Sequence, residues 1–382
     1  MSKIKTIAFG GIGLALLAGS ALADPMTTPS MSGPLAANPD PFKFDAGPFG
    51  PIYVTGAVTG LALWQDNPAP VDNSTWFDFT NAQVFVQKTD GWFQFFVQAG
   101  GYSLPSLGTP YFHATKITPN TYGWLPQAFV KIAPTDNFSI QVGKLPTLVG
   151  AETTFTFENM NIERGLLWNQ EPAVSRGVQA NYSTGPFAFS LSWNDGYYSN
   201  HYNWLSGSAA YTVDPQNTVS LVAAGNLART VHTSFATPLA QNNSDIFNLI
   251  WTHTAAPWTI QPYLQFDVVP KDLHIGIAHE ASTFGAGVLA NYAFDQNWSL
   301  AGRVEYITSS GSLASGSSNL LYGPGSNAWS FTLTPTWQHG IFFARGEVSY
   351  LTAGSTTPGF ALGVHFNDNN QTRGLVEAGV LF

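Results

Sequence analysis

Trp258-Thr259-Ile260-Gln261-Pro262-Tyr263-Leu264-Gln265-Phe266-Asp267-Val268 alternates between two kinds of side chain: Trp258, Ile260, Leu264, Phe266 and Val268 are apolar, whereas Thr259, Gln261, Tyr263, Gln265 and Asp267 can all hydrogen-bond. A period of two belongs to a β-strand whose faces meet different surroundings. The same split sets Trp329, Phe331, Leu333 and Trp337 against Ser330, Thr332, Thr334 and Thr336, and Phe187, Phe189, Leu191 and Trp193 against Ala188, Ser190, Ser192 and Asn194. A strand of a soluble sheet alternates too, but its polar face is richly charged. Here that face is mostly Ser, Thr, Asn and Gln, and only 10% of the whole chain is charged, against roughly 25% in an ordinary soluble domain. One face therefore meets lipid and the other meets water.

From Ile52 to the last residue the chain is a string of such segments, and the connections between them are short and long in turn. The short ones carry turn chemistry: Asp90-Gly91, Pro134-Thr135-Asp136-Asn137, Gly185-Pro186, Asp214-Pro215-Gln216-Asn217, Ala255-Ala256-Pro257, Asp295-Gln296-Asn297 and His339-Gly340. The long ones are Asp66 to Ser74, Pro105 to Tyr122, Gly150 to Ala173, Tyr197 to Tyr202, Arg229 to Asn243, Pro270 to Ala281, Ser310 to Gly325 and Gly354 to Gln371. Seven short and eight long connections make sixteen strands. An even number predicts an all-β, antiparallel up-and-down transmembrane barrel with short periplasmic turns and long extracellular loops. Past Leu22 no apolar run approaches the roughly 18 residues of a spanning helix, so the chain crosses as strands. Aromatics recur beside the short turns, at Trp92, Phe138, Phe187, Trp258, Trp298 and Phe342 and again at Tyr182, Tyr211, Trp251, Phe294 and Trp337. That is the pattern of an interfacial girdle.

Residues 1–23 read as a secretory signal peptide, with Lys3 and Lys5 ahead of the apolar run Ile7 to Leu17 and with Ala21-Leu22-Ala23 at the cleavage site. Residues 24–51 form a leader with seven prolines and too few large apolar residues for a core, which we read as a mobile periplasmic tether in preference to a plug of the lumen. Residues 52–382 form the barrel. The net charge is −9, and loss of Lys3 and Lys5 with the signal takes it to −11, which disfavours nucleic acid as a partner. The absence of Cys excludes a disulfide framework and thiolate metal or haem sites.

The chain ends on Phe382, with Val376, Ala378 and Val380 on its face of the strand and Arg373, Glu377 and Gly379 on the other. This resembles the carboxy-terminal signal of Gram-negative outer-membrane barrels, which implies recognition by the barrel-assembly machinery. The stretch Gly143-Lys144-Leu145-Pro146-Thr147-Leu148-Val149-Gly150-Ala151-Glu152, followed by Asn161, Arg164, Leu166, Leu167, Glu171-Pro172 and Gly177-Val178, looks like the corresponding region of the OmpL-like β-barrel porins. The resemblance implies a passive outer-membrane porin for small hydrophilic solutes and ions, with lipid around it. General porins, which the chain resembles more distantly, commonly form homotrimers and fold their third loop into the lumen.

Closing sixteen strands leaves an interior too wide for side chains to fill, so an aqueous channel is expected, and selectivity then requires a constriction. The longest connection, Gly150 to Ala173, carries Phe155, Phe157, Leu166, Leu167 and Trp168 to pack on something, and Glu152, Glu158, Glu163 and Glu171 against a single Arg164. It is the expected constriction, with an outer loop packed on its neighbours as the alternative. On the inward parity of the last strands lie Arg303 and Glu305, Arg345 and Glu347, Arg373 and Glu377. They form either a basic wall facing the acidic loop in a transverse field or structural ion pairs. Lys131, Gln127 and Asp267 are further lumen candidates. Lys144 breaks the parity of Ile140 and Val142 and is placed beyond a bulge at the outer rim, because a Lys in mid-depth lipid costs roughly 2 to 4 kcal/mol. The acidic balance favours cations, with some anion tolerance from the arginines.

His274 and His279-Glu280 sit in a long loop without metal-ligand company, and the local motifs of hydrolases, phosphate-binding loops and zinc proteases do not occur. No enzymatic reaction, cofactor or metal is expected. Two rivals stand beside the porin: a barrel hydrolase with a spatially assembled Ser and His, and a closed structural or adhesive barrel.

Overall fold

The computed structural model describes residues 31–69 and 72–382, so the signal segment and the first part of the leader lie outside the described residues. A short strand β1 (Phe42–Asp45) precedes sixteen long ones. These are β2 (Pro51–Gln65), β3 (Thr75–Lys88), β4 (Phe93–Tyr102), β5 (Gln127–Thr135), β6 (Phe138–Pro146), β7 (Val174–Thr184), β8 (Phe187–Asn194) and β9 (Trp204–Asp214). They continue as β10 (Asn217–Asn226), β11 (Asp245–Ala255), β12 (Trp258–Val269), β13 (Ala281–Ala293), β14 (Trp298–Ser309), β15 (Asn327–His339), β16 (Phe342–Gly354) and β17 (Asn370–Leu381). Each pairs antiparallel with its chain neighbours, and β17 returns to β2 from Arg373↔Gln65 to Leu381↔Ala57. The sixteen-strand barrel is therefore closed.

Closure satisfies every strand edge, which lipid demands. The expected outer parity holds: Leu264 and Phe266 are 43% and 42% exposed, whereas Gln265 and Asp267 between them point inward and are buried. Beside the short turns the aromatics meet one another, Trp258 with Tyr292 at 4.8 Å and Phe187 with Tyr211 at 5.0 Å between ring centroids.

The seam is finished by both ends of the chain. Phe382 exchanges backbone hydrogen bonds with Gly56 at 3.0 and 2.9 Å. Its ring lies so close that a Cβ on Gly56 would come within 2.3 Å of it. Below that point β2 overhangs β17, and β1 takes up the free edge, from Phe42↔Val54 to Asp45↔Pro51.

Three expectations need correction. Residues 31–36 are not a free tether, because Ser32 and Gly33 donate backbone N–H to Glu158 O at 2.7 and 3.0 Å and Leu35 is fully buried. Ala36 is held in both directions by the Gln338 side chain at 2.8 Å. Lys144 needs no bulge: its register with Ala128 is regular. Its ammonium donates to the rim carbonyls of Leu125 at 2.8 Å and Tyr122 at 3.2 Å, as a long stem allows. Finally, the inward face is not uniformly polar, because Leu61, Leu63, Phe85, Ile250, Leu289, Ile307, Phe343, Leu351 and Leu375 are buried there. They pack on Phe155, Phe157, Ile162, Leu166 and Leu167 of the segment between β6 and β7.

Candidate functional site

The segment 147–173, the third long loop, leaves the wall between β6 and β7. In a ring of sixteen, β14 stands eight places from β6, so contacts with β14 mean that the loop has crossed the interior. Those contacts are numerous. Near its root, Gly150 donates to Asn248 Oδ1 on β11 at 3.1 Å. Glu152 accepts from Arg303 Nη1 on β14 and from the Gly165 N–H, both at 2.7 Å. Farther on, Asn161 donates to Thr334 of β15 at 2.7 Å.

The wall carboxylates serve as acceptors for the loop backbone. Glu305 receives the N–H groups of Leu166 and Leu167 at 2.9 and 3.2 Å, and Glu347 those of Ile162 and Glu163 at 2.5 and 3.1 Å. Glu377 accepts from Thr156 and Thr80 at 2.6 Å each and pairs with Arg345. The wall arginines do the converse: Arg345 donates to the carbonyls of Asn159 and Thr156 at 3.1 and 2.9 Å, and Arg373 bonds Glu163 Oε1 at 2.7 Å and Ser106 O at 2.8 Å. A loop turned away from regular secondary structure leaves its N–H and C=O groups without ladder partners, and each would be costly to bury alone. Arg303, Glu305, Arg345 and Glu347 supply those partners, while Arg373 and Glu377 hold the Glu163 and Thr156 side chains.

The sequence-predicted charges accordingly come together, but not as a field across a gap. Arg303 touches Glu152 at 2.7 Å and Arg373 touches Glu163 at 2.7 Å. The transverse-field reading is corrected on this ground: opposite charges in contact cancel at range, and what remains is a clamp. Glu158 hydrogen-bonds the Phe155 N–H at 3.1 Å, and burial pushes its carboxyl up to about 8. Glu171 is also buried and raised by desolvation, with Glu152 and Glu305 adding to the rise, and neither of its oxygens has a hydrogen-bond partner among the described residues. Arg164 is fully buried, its guanidinium 4.9 Å from the Trp168 ring centroid.

Lys131 lies elsewhere. It belongs to an inward row that runs by register from Gln94, beside a short turn at the foot of β4, through Lys131, Gln141 and Gln179 to Ser192 and Ser206, beside the long loop between β8 and β9. Gln127 and Asp267 are inward and buried. The interior thus has a charged half, occupied by the loop, and a half lined by amides and hydroxyls. Sequence reasoning missed the leader residues Ser32, Gly33 and Leu35, and it missed Gln338. A Cβ at Gly33 would fall 2.1 Å from Asn159 O. No local signal in a proline-rich stretch announces such a contact.

A family model described as "Putative beta-barrel porin-2, OmpL-like" matches residues 51–382. Among solved structures, an anion-selective porin from Comamonas acidovorans is 10% identical, with TM-score 0.60, covering 87% of this chain and 99% of its own. The outer membrane channel DcaP of Acinetobacter baumannii is 10% identical with TM-score 0.58, covering 91% and 100%. OmpT of Vibrio cholerae, in its trimer form, is 8% identical with TM-score 0.53, covering 87% and 99%. At such identities these likenesses speak for the fold. No curated protein matches the chain.

Proposed function

The chain belongs to the OmpL-like β-barrel porin family, and from that premise we propose that it conducts small hydrophilic solutes and ions by passive diffusion, with the third loop as the constriction. It is an outer-membrane channel protein. The observation that carries the finer reading is the crossing of residues 147–173 from β6 to β14, with its backbone held by Arg303, Glu305, Arg345 and Glu347 and its Glu163 and Thr156 side chains by Arg373 and Glu377. A segment so held narrows the lumen without closing the ring. Solutes then pass between the loop and the wall of β4–β9, along Gln94, Lys131, Gln141 and Gln179. Glu152, Glu158, Glu163, Arg164 and Glu171 belong to the constriction, most of them as its internal frame.

In this reading the protein performs no reaction, residues 1–23 are removed on export, and Phe382 is recognised during assembly. A homotrimer is part of the proposal, supported by the trimeric fold relative. Single-channel recording of refolded protein tests the whole: stepwise currents are expected, larger when Phe155 to Trp168 is deleted. A second reading, the closed barrel, is favoured by one observation, the complete burial of Phe155, Phe157, Ile162, Leu166 and Leu167. It predicts no steps in the intact protein.

A further inference from the structure

Along the row that starts at Gln94, the inward-pointing Lys131 and Gln141 are partly exposed, as is Asn181 two residues from Gln179, so water reaches the interior at that depth. The row ends differently. Two residues beyond Ser206 on the same face stands Trp204, which forms an apolar layer with Val222 and Ala224 of β10 and Ile246 of β11. Val149 from the root of the third loop and Tyr197 from the β8–β9 connection complete it, and none of the six is more than 6% exposed. This layer is tied across the mouth that carries the long connections. Tyr197 donates its hydroxyl to Gln170 O of the third loop, and the Gln170 amide donates at 2.8 Å to Leu320 O of the β14–β15 connection. The Trp204 indole N–H donates to Asn242 O at 3.0 Å. A chain that conducts along the amide row must open here.

A second contact spans the same mouth. On one side the β4–β5 connection is fixed to the wall, because Tyr111 N–H donates to Asp72 at 2.9 Å and Ala114 N–H to Asp78 at 2.7 Å. Phe112 lies between them. On the other side, residues 227–235 of the β10–β11 connection are mostly exposed and end in a tight turn, where Ser234 and Thr237 exchange backbone hydrogen bonds at 3.2 Å. Phe235 at the tip of that turn meets Phe112 edge to face, with ring centroids 5.1 Å apart. The two connections stand six places apart in the ring of sixteen, so the pair reaches across the opening. Thr237 also donates its hydroxyl to Tyr197 O at 2.7 Å, which seats the turn on the apolar layer. The third loop is clamped by buried wall charges, whereas this tip is held by an aromatic pair and a hydroxyl. Segments with few buried contacts are the ones that open locally.

Resting on the channel reading, we propose that the β10–β11 connection is a lid, latched by Phe235 on Phe112, whose release uncovers the apolar layer at Tyr197 and Trp204 while the third loop stays in place. An apolar constriction stops ions and polar solutes by excluding water. The lid therefore sets how long the channel is open, and the third loop sets how much current flows.

The test uses the full mature chain refolded into planar bilayers in potassium chloride. Phe235→Ser should raise the fraction of time spent open by about three- to tenfold, the scale of one aromatic pair, and leave the step size unchanged. The chain has no Cys, so Phe112→Cys combined with Phe235→Cys places thiols only at the latch. A short bis-methanethiosulfonate linker across that pair should silence the channel, dithiothreitol should restore it, and either single cysteine variant should stay open under the linker. Equal open fractions in wild type and Phe235→Ser, or a linked pair that conducts as before linking, overturns the lid. Silence of wild type and Phe235→Ser alike overturns the channel reading instead.

Discussion

At the scale of single residues the interior depends on matched charges out of reach of water. Arg303 holds Glu152 at 2.7 Å and the Glu163 carbonyl at 2.7 Å, all buried. Replacing it by Met keeps most of the volume but strands Glu152 and Glu305, which should cost roughly 3 to 5 kcal/mol. Equilibrium unfolding in urea checks this, and Arg303→Met combined with Glu152→Gln should lose less than the two single changes added. Glu158 gives a pH dependence with a defined sign. Its folded value of about 8 lies above its ordinary 4.5, so the folded chain keeps a proton that the unfolded chain releases between those values. Its contribution is complete below pH 4.5 and is lost as pH rises through 8. Urea midpoints of the wild type should fall over that interval by more than those of Glu158→Gln; parallel curves would contradict the assignment. The identities of these residues were legible in the sequence, because inward parity and scarcity singled out Arg303, Arg345 and Arg373. Their partners were not, since a contact such as Arg373 with Glu163 joins positions 210 residues apart.

At the scale of elements, the strands and turns could be read in advance because period two and turn chemistry are local. The alternation of short and long connections placed every barrel strand. The leader could not be read this way. Its proline content describes what it cannot do alone, a core of its own, and says nothing of a groove prepared by Phe85, Phe155, Phe157 and Phe343 in which Leu35 is buried. Ser32 and Gly33 bond the same Glu158 carbonyl, so the leader supports the loop from the periplasmic side. Removal of residues 24–40 should therefore raise single-channel conductance and open-channel noise while leaving membrane insertion intact. Unchanged conductance would mean that the leader only rests against the loop. The C-terminal strand carries a separate prediction: deletion of Phe382 exposes Gly56, removes the last pair of seam hydrogen bonds, and should lower the amount of folded barrel recovered from outer membranes.

At the scale of the whole molecule, the low charge content resolves into three zones. The lipid belt is neutral, the loop-bearing half of the lumen is charged with its wall arginines paired to acids, and the opposite wall carries amides, hydroxyls and Lys131. The net −9 of the chain therefore overstates the field that a permeating ion meets, because ion pairs in contact leave little potential at range. The reversal potential in a tenfold gradient of potassium chloride should lie near zero. Strong cation preference would restore the picture of an unpaired acidic loop. The measurement that bears most directly on the account is single-channel conductance of the intact barrel beside the barrel lacking Phe155 to Trp168. The account predicts discrete steps in both, clearly larger in the deletion. Equal conductance in the two, or silence in the intact protein, would contradict it.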